Sequence, residues 1–177
     1  MKIKKIISRI KRSFIYKLDG INAKKYMKKY NKWLKKEGMN IDGNIKYAHH
    51  TVMFDGSDYS RIFIGNNCVF SIDVIILTHD FSIETGMFSL GLGDDSKEAH
   101  FEKNVIIGNN CFFGARSIIL PGAVIGDNCI IGAGSVVVGK KYPANCIIAG
   151  NPAKVIGNIV DWTNKKIIEN NFARGCY

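Results

Sequence analysis

Residues 107–135 read IGNNCFFGARSIILPGAVIGDNCIIGAGS. Ile107, Phe113, Ile119, Ile125 and Ile131 stand six residues apart in this stretch without a break. Four residues after each comes a small one: Cys111, Ser117, Ala123, Cys129 and Ser135. A helix repeats its face every ~3.6 residues and an ordinary strand every second residue, so neither explains four successive steps of six. A parallel β-helix does, because each hexad forms one side of a triangular coil. The aliphatic residue fills the prism, the small residue fits where the prism narrows, and Gly relieves crowding at the corner. Upstream, Ile64-Gly65-Asn66-Asn67-Cys68 with Phe70 and Val74 carries the same pattern, and residues 64–81 make one turn of three sides.

Residues 41–63 read as irregular early coils. Between Asp80 and Asn104 the hexads stop, and a polar stretch with Gly86, Gly91 and Gly93 intervenes. A long interruption in a regular solenoid is a loop pushed out of a corner, and such loops usually serve function. Gly91-Leu92-Gly93-Asp94 lacks the following helix of a phosphate cradle and reads as a mobile hinge. The segment 136–143 reads as one residue longer than usual.

The 177 residues suit one domain with a real core. No apolar run approaches the ~20 residues of a membrane span, and the N-terminus is a poor signal peptide. A cytoplasmic location is expected. The five cysteines, Cys68, Cys111, Cys129, Cys146 and Cys176, show no metal or disulfide spacing. Three of them, Cys68, Cys111 and Cys129, take the small core place of a hexad and read as buried free thiols.

The net charge of +10 is unevenly held. Residues 1–37 carry 14 Lys or Arg against Asp19 and Glu37, a local balance of +12, and the rest of the chain sums to −2. Ile3, Ile6, Ile7, Ile10 and Phe14 fall at helical spacing, as do Tyr26, Met27, Tyr30, Trp33 and Leu34, with Asp19-Gly20 as the break. Residues 1–40 are therefore a short basic helical arm. Its stripes pack on the β-helix, and its basic face suits an anionic membrane surface. The aromatics follow helix spacing rather than a base-stacking platform, which argues against nucleic acid. Residues 158–177 form a C-terminal tail or short capping helix.

Ala149-Gly150-Asn151-Pro152-Ala153-Lys154-Val155-Ile156 resembles the closing signature of the hexapeptide-repeat acyltransferases, and residues 107–114 resemble that family's central block. The likeness spans residues 41–157 and is with sugar and capsule O-acetyltransferases. It implies a mainly β fold, a left-handed parallel β-helix with the loop 81–104 extruded, assembled as a homotrimer with each site between two subunits.

The resemblance places a general base at His79, where the coil gives way to the loop. A neutral imidazole can take the proton of an alcohol attacking a thioester, a service worth about 10²–10⁴ in rate. A carboxylate on its other nitrogen would fix the tautomer, and Asp80, Glu84, Glu98 and Glu102 are the candidates, with Asp80 and Glu98 preferred. Oxyanion donors would be main-chain N–H groups around Gly114 and Ala115. Acetyl-CoA, as acyl donor, would lie along a groove between coils that includes Gly114, Ala115, Ala133, Lys140 and Lys154. Phe112 stands where the family often has Trp and would wall the acceptor site. His50, Asp55 and Asp58 are candidates for contact with sugar hydroxyls.

The function implied is acetyl transfer from acetyl-CoA to a hydroxyl of a sugar or glycan precursor, direct in a ternary complex, since no nucleophile elbow is present. Alternatives are another small acceptor (an amino sugar, serine or antibiotic) or a non-catalytic scaffold. Serine specialists usually carry a longer helical N-terminal domain. Metal-dependent relatives use an H-x-x-x-x-H pair, absent among His49, His50, His79 and His100, so no metal is expected.

Overall fold

Strand registers turn the hexad count into geometry. In the computed structural model, which describes residues 2–169 and 172–173, each aliphatic position sits beside the one three hexads on. Ile107 pairs with Ile125, Phe113 with Ile131 and Ile119 with Val137, all parallel. Stacked coils build three sheets. Face one holds Asn40–Ile41, Ile62–Ile64, Val105–Ile107, Val124–Ile125 and Lys141–Tyr142. Face two holds Tyr47–Ala48, Val69–Phe70, Phe112–Phe113, Ile130–Ile131 and Cys146–Gly150, closed by the antiparallel Ala153–Asn158. Face three holds Met53–Phe54, Ile75–Ile76, Ile118–Ile119 and Val136–Val137.

Most of these strands are two residues long, the first pointing out and the second in. The inward column is the core: Ile119, Ile125 and Ile131 are buried, and Phe70 stacks on Phe113 with centroids 4.5 Å apart. Each such side chain contributes about 1.5–3 kcal/mol by leaving water. Cys68, Cys111, Cys129 and Cys146 are buried and free, and Cys176 lies outside the described residues. The first three thiols donate to the carbonyls of Gly108, Gly126 and Pro143 one coil on, at 3.1, 3.2 and 3.3 Å.

The corner after face one is an asparagine ladder. Asn67, Asn110, Asn128 and Asn145 take φ of 65, 55, 57 and 61°, a left-handed conformation that Asn tolerates better than most residues. Their side-chain amides bond in series at 2.8, 3.1 and 2.9 Å.

The regular coil is 18 residues, and departures from it are local. Phe54 pairs with Ile76, an early coil lengthened by residues that include the 3₁₀ turn Tyr59–Arg61. Contrary to the sequence expectation, the segment 136–143 runs short: Ile125 pairs with Tyr142, one residue less than a full coil. Gly139 allows this, since a Cβ there would fall 2.2 Å from the Pro121 oxygen.

The extruded loop is not structureless. His79–Asp80 pairs antiparallel with Phe101–Glu102 at its base. Between them runs a helix, numbered α3 for its place in the chain (Ser82–Ser89), after α1 (Lys2–Tyr16) and α2 (Ala23–Lys36). Gly91, at φ 69°, ends that helix, and Gly93 lies so close to Phe88 that a Cβ would clash at 2.4 Å. Gly91 and Gly93 thus close the C-terminal end of that helix.

In the arm, α2 buries Tyr26, Met27, Tyr30, Trp33 and Leu34. Asn31 clamps it to the first coil, its side chain bonding both the N–H and the C=O of Ile45 at 2.9 Å. The expectation that both helices pack by their apolar stripes fails for α1. It rests on α2 through Ser8, Arg12 and Tyr16, with Trp33 Nε1 donating to Ser8 Oγ at 3.0 Å. Ile6, Ile7, Ile10 and Phe14 stay exposed, and the Ile3 side chain lies outside the described residues. At the other end, α4 (Ile159–Ile168), capped by Asn158, follows the closing hairpin.

Candidate active site

His79 stands where face three ends and the loop begins. Its Nδ1 lies 2.6 Å from Asp55 Oδ2. That carboxylate is buried and saturated with donors. Oδ2 also accepts from Thr78 N at 3.0 Å and Thr78 Oγ1 at 2.8 Å, and Oδ1 accepts from Ser57 N at 3.0 Å and Ser57 Oγ at 2.8 Å. Burial pushes the Asp55 carboxyl up, but the hydrogen bonds from Thr78 and Ser57 outweigh it and hold the pKa down to about 2. An ionised carboxylate only accepts, so Nδ1 of His79 carries the proton and donates it. A neutral ring then keeps its lone pair on Nε2. Phe81 packs edge-on to the imidazole at 5.3 Å and itself meets His100 at 4.9 Å.

The preferred partners of His79 do not reach it. Asp80 is the next residue of the same strand, so its side chain points the opposite way. It accepts from Ser82 N at 2.8 Å instead, which lowers its pKa. Glu98 is exposed on the returning limb of the loop. Glu84 accepts from Ala99 N, and Glu102 pairs with Arg61 and with His100. Asp55, assigned from sequence to sugar hydroxyls, has its oxygens occupied and its side chain only 5% exposed. It orients the imidazole. Asp58, the other acid considered there, caps the 3₁₀ turn through Ser60 and is exposed.

The remaining residues divide between two corners. The corner after face three, which holds Asp55 and His79, continues up the prism through Pro121-Gly122 to Lys140, whose Nζ lies 5.1 Å from the Tyr142 ring. The corner after face two stacks His50, Ile72, Ala115 and Ala133. Lys154 belongs beside this second corner, since it pairs with Ala149, and Ala149 Cβ would lie 2.9 Å from a Cβ on Gly132. Face three separates the two sets. Phe112 faces outward on face two, 43% exposed.

Main-chain donors sort the second corner further. The Gly114 N–H is spent on Ile131 O at 2.8 Å, and Gly134 N–H on Ala115 O at 2.8 Å. The N–H groups of Ala115 and Ala133 donate to no group among the described residues. Gly114 is needed for spacing rather than donation, because a Cβ there would lie 2.5 Å from Ala133 N. Two small residues with free N–H groups on successive coils, beside Lys154, fit a long acyl carrier rich in carbonyl and phosphate acceptors.

His50 is tied to the arm: its N–H and Nδ1 meet Asp19 Oδ2 at 3.0 and 2.9 Å, and its ring lies tilted against His49 with centroids 4.2 Å apart. Asp19 also receives the Tyr47 hydroxyl at 2.9 Å, which helps push the Tyr47 pKa, already raised by burial, to about 12.

Comparison with known proteins adds four findings. Residues 104–138 match the model of a family described as the hexapeptide repeat of succinyl-transferase. Over 137 residues the chain is 40% identical to Protein CapG of Staphylococcus aureus, covering 77% of this chain and 75% of that one. It is 43% identical over 123 residues to a Dictyostelium discoideum protein named as an acetyltransferase, covering 69% of this chain and 60% of that relative's length. Among solved structures, a galactoside acetyltransferase in complex with coenzyme A superposes with a TM-score of 0.56 at 20% identity, over 96% of this chain and 86% of the other.

Proposed function

Because the chain belongs to the hexapeptide-repeat acyltransferase family and has its left-handed β-helix, we propose that it transfers an acetyl group from acetyl-CoA to a hydroxyl of a sugar or glycan precursor. The observation that carries this reading is the hydrogen bond from His79 Nδ1 to a buried, ionised Asp55. It leaves Nε2 as the basic atom at the mouth of the loop. As the acceptor oxygen attacks the thioester carbonyl, Nε2 takes the hydroxyl proton. The positive charge formed on the ring is stabilised by Asp55, which keeps its own charge. Acetyl-CoA supplies the activated acyl group; as the tetrahedral intermediate collapses the C–S bond breaks, and the leaving sulfur takes the proton from Nε2, which restores the neutral imidazole.

Ala115, Ala133 and Lys154 would hold the donor from the corner after face two. His79 stands at a different corner of the same prism, so a site needing both sets is completed by a second copy of the chain. A cyclic homotrimer, each His79 corner meeting the alanine corner of a neighbour, supplies that arrangement. Phe112, outward and half-exposed, fits an apolar wall for the sugar face, and His50 shares the alanine corner. No helix among the described residues is long and apolar enough to cross a membrane, and the reading places the enzyme in the cytoplasm, at a membrane face where acceptors are lipid-linked.

The test is thiol release from acetyl-CoA over a panel of sugars, amino sugars and amino acids, with wild type and His79→Ala in parallel. Turnover with a sugar hydroxyl that falls about 10²-fold or more in the variant supports the proposal. Equal rates in the two proteins remove His79 as the base, and preference for an amine acceptor overturns O-acetylation.

A further inference from the structure

Helix α1 shows its two faces unusually plainly. Successive residues turn by about 100°, so Ser8, Arg12, Ile15 and Tyr16 share one side and Ile6, Ile7, Ile10 and Phe14 the side directly opposite. The first side is the one that touches α2: Ser8 bonds Glu37 and Trp33, Arg12 lies over the Tyr16 and Trp33 rings at 5.7 and 5.5 Å, and Tyr16 meets Tyr30. The apolar side points away from the body. Ile6, Ile7, Ile10 and Phe14 are 56, 46, 52 and 65% exposed, and Ile21 just beyond is 79% exposed. Four large hydrophobic side chains in one solvent-facing row are more than scattered surface residues.

The charge around that row names its occupant. No acidic residue lies in α1, while Arg9 and Lys11 flank the stripe and Lys17 Nζ sits 5.4 Å from the Phe14 ring. The arm's two acids are engaged elsewhere, Asp19 with Tyr47 and His50 and Glu37 with Ser8. Residues 1–37 thus carry 14 cations against two engaged acids. A second copy of the arm laid on the stripe would bring two such charge sets together, which is unfavourable. A nucleic acid would satisfy the cations and leave the isoleucines in water. An anionic bilayer satisfies both: the apolar row enters the acyl boundary while the lysines and arginines meet phosphate headgroups.

We propose that α1 is a peripheral membrane anchor, lying in the interface of an anionic bilayer by Ile6, Ile7, Ile10 and Phe14, with α2 as the rigid strut that joins it to the β-helix. Because α2 is clamped to the first coil through Asn31 and Tyr26, the anchor holds the solenoid in a defined orientation rather than on a loose tether. Three copies in a trimer would present three anchors, and linked weak sites bind far more tightly than one. The inference holds whichever acceptor the enzyme uses.

The experiment is flotation of the full chain with phosphatidylcholine vesicles and with phosphatidylcholine vesicles containing phosphatidylglycerol, at low and high salt. Wild type is expected to float with the anionic vesicles, about tenfold less with neutral ones, and less at high salt. Ile7→Glu/Ile10→Glu should lose about tenfold or more of the anionic binding while keeping its circular dichroism, oligomeric state and thiol-release rate with a soluble acceptor. Arg9→Gln/Lys11→Gln, which leaves the stripe intact, should weaken binding and flatten its salt dependence. Wild type that ignores both vesicle types overturns the proposal. So does retained binding in Ile7→Glu/Ile10→Glu. A change of oligomeric state in that variant without vesicle binding by wild type would make the stripe a contact between copies.

Discussion

Asp55 and His79 are 24 residues apart in the chain and 2.6 Å apart between Oδ2 and Nδ1. That bond decides which nitrogen of the imidazole is basic. Asp55→Asn keeps the volume but removes the charge that stabilises the imidazolium, and its amide can turn a donor toward Nδ1. We expect kcat to fall by about one to two powers of ten, against about 10²–10⁴ for His79→Ala, with KM for acetyl-CoA little changed. Steady-state thiol release checks both. A loss confined to KM would show that Asp55 acts on substrate instead.

The same carboxylate makes stability depend on pH. Its pKa is 3.8 in the free form and about 2 in the folded chain. The folded state therefore favours the ionised form, and the stabilisation is fully present above about pH 4. It is lost as pH falls from there through about 2. Asp19, Asp58 and Asp80 are also lowered, so wild type loses stability through this window by several routes. Asp55→Asn should lose less over the same range, measured as urea midpoints at successive pH values. Parallel curves would mean that the Asp55 shift is not coupled to folding.

The reason Asp55 escaped the sequence reading is geometric. Hexad counting works where a coil is 18 residues, as from Ile107 to Ile125, and there it places the aliphatic core and the small residues of the corners. In the coil below His79, Phe54 pairs with Ile76, and the extra residues around Tyr59–Arg61 break the count. Proximity along the chain then pointed to Asp80 and the loop acids, although alternation along a strand turns Asp80 away from His79. The asparagine ladder is absent from the sequence reading: Asn-Asn recurs at 66–67 and 109–110, but only the left-handed corner gives that recurrence a meaning. For α1, the stripe was plain in the sequence and its direction was not. Periodicity reports that a face exists, and only packing reports what it faces.

Ser117 is fully buried in a hexad's small place, and its Oγ has no hydrogen-bond partner among the described residues. Cys68, Cys111 and Cys129 solve the same packing problem at their corner with thiols that reach a carbonyl. Ser117→Ala deletes a buried donor that nothing satisfies, and should stabilise by about 1 kcal/mol, or a Tm rise of about 2–4 °C. A lower Tm would show that the hydroxyl has a partner in solution, such as an ordered water.

The N–H of Gly114 is spent on the next coil, and its missing side chain is what matters. A Cβ would sit 2.5 Å from Ala133 N and 2.9 Å from Ile131 O, both backbone atoms of the next coil. Neither can step aside without breaking the ladder at Gly114 N to Ile131 O. Gly114→Ala should destabilise by about 1–3 kcal/mol. Ala115→Gly, one residue on, has no such neighbour to relieve and should cost under about 1 kcal/mol. Thermal unfolding of the two variants side by side distinguishes crowding from a general intolerance of change at this corner.

A site shared between copies makes a stricter prediction. His79→Ala spoils the histidine corner and leaves the alanine corner intact. Ala133→Asp does the reverse, placing a carboxylate where donor phosphates or carbonyls would lie. If each site is built from one subunit's His79 and the next subunit's Ala115 and Ala133, every mixed trimer contains one interface where both halves are sound. Random reassembly of equal amounts of the two inactive proteins should then restore about a quarter of wild-type activity. A site contained within one chain restores none, because each chain carries a defect in it. Recovery that tracks subunit exchange would place the second half of the site on a neighbour, and its absence would send the search for donor contacts back to the His79 corner, with Lys140 first among them.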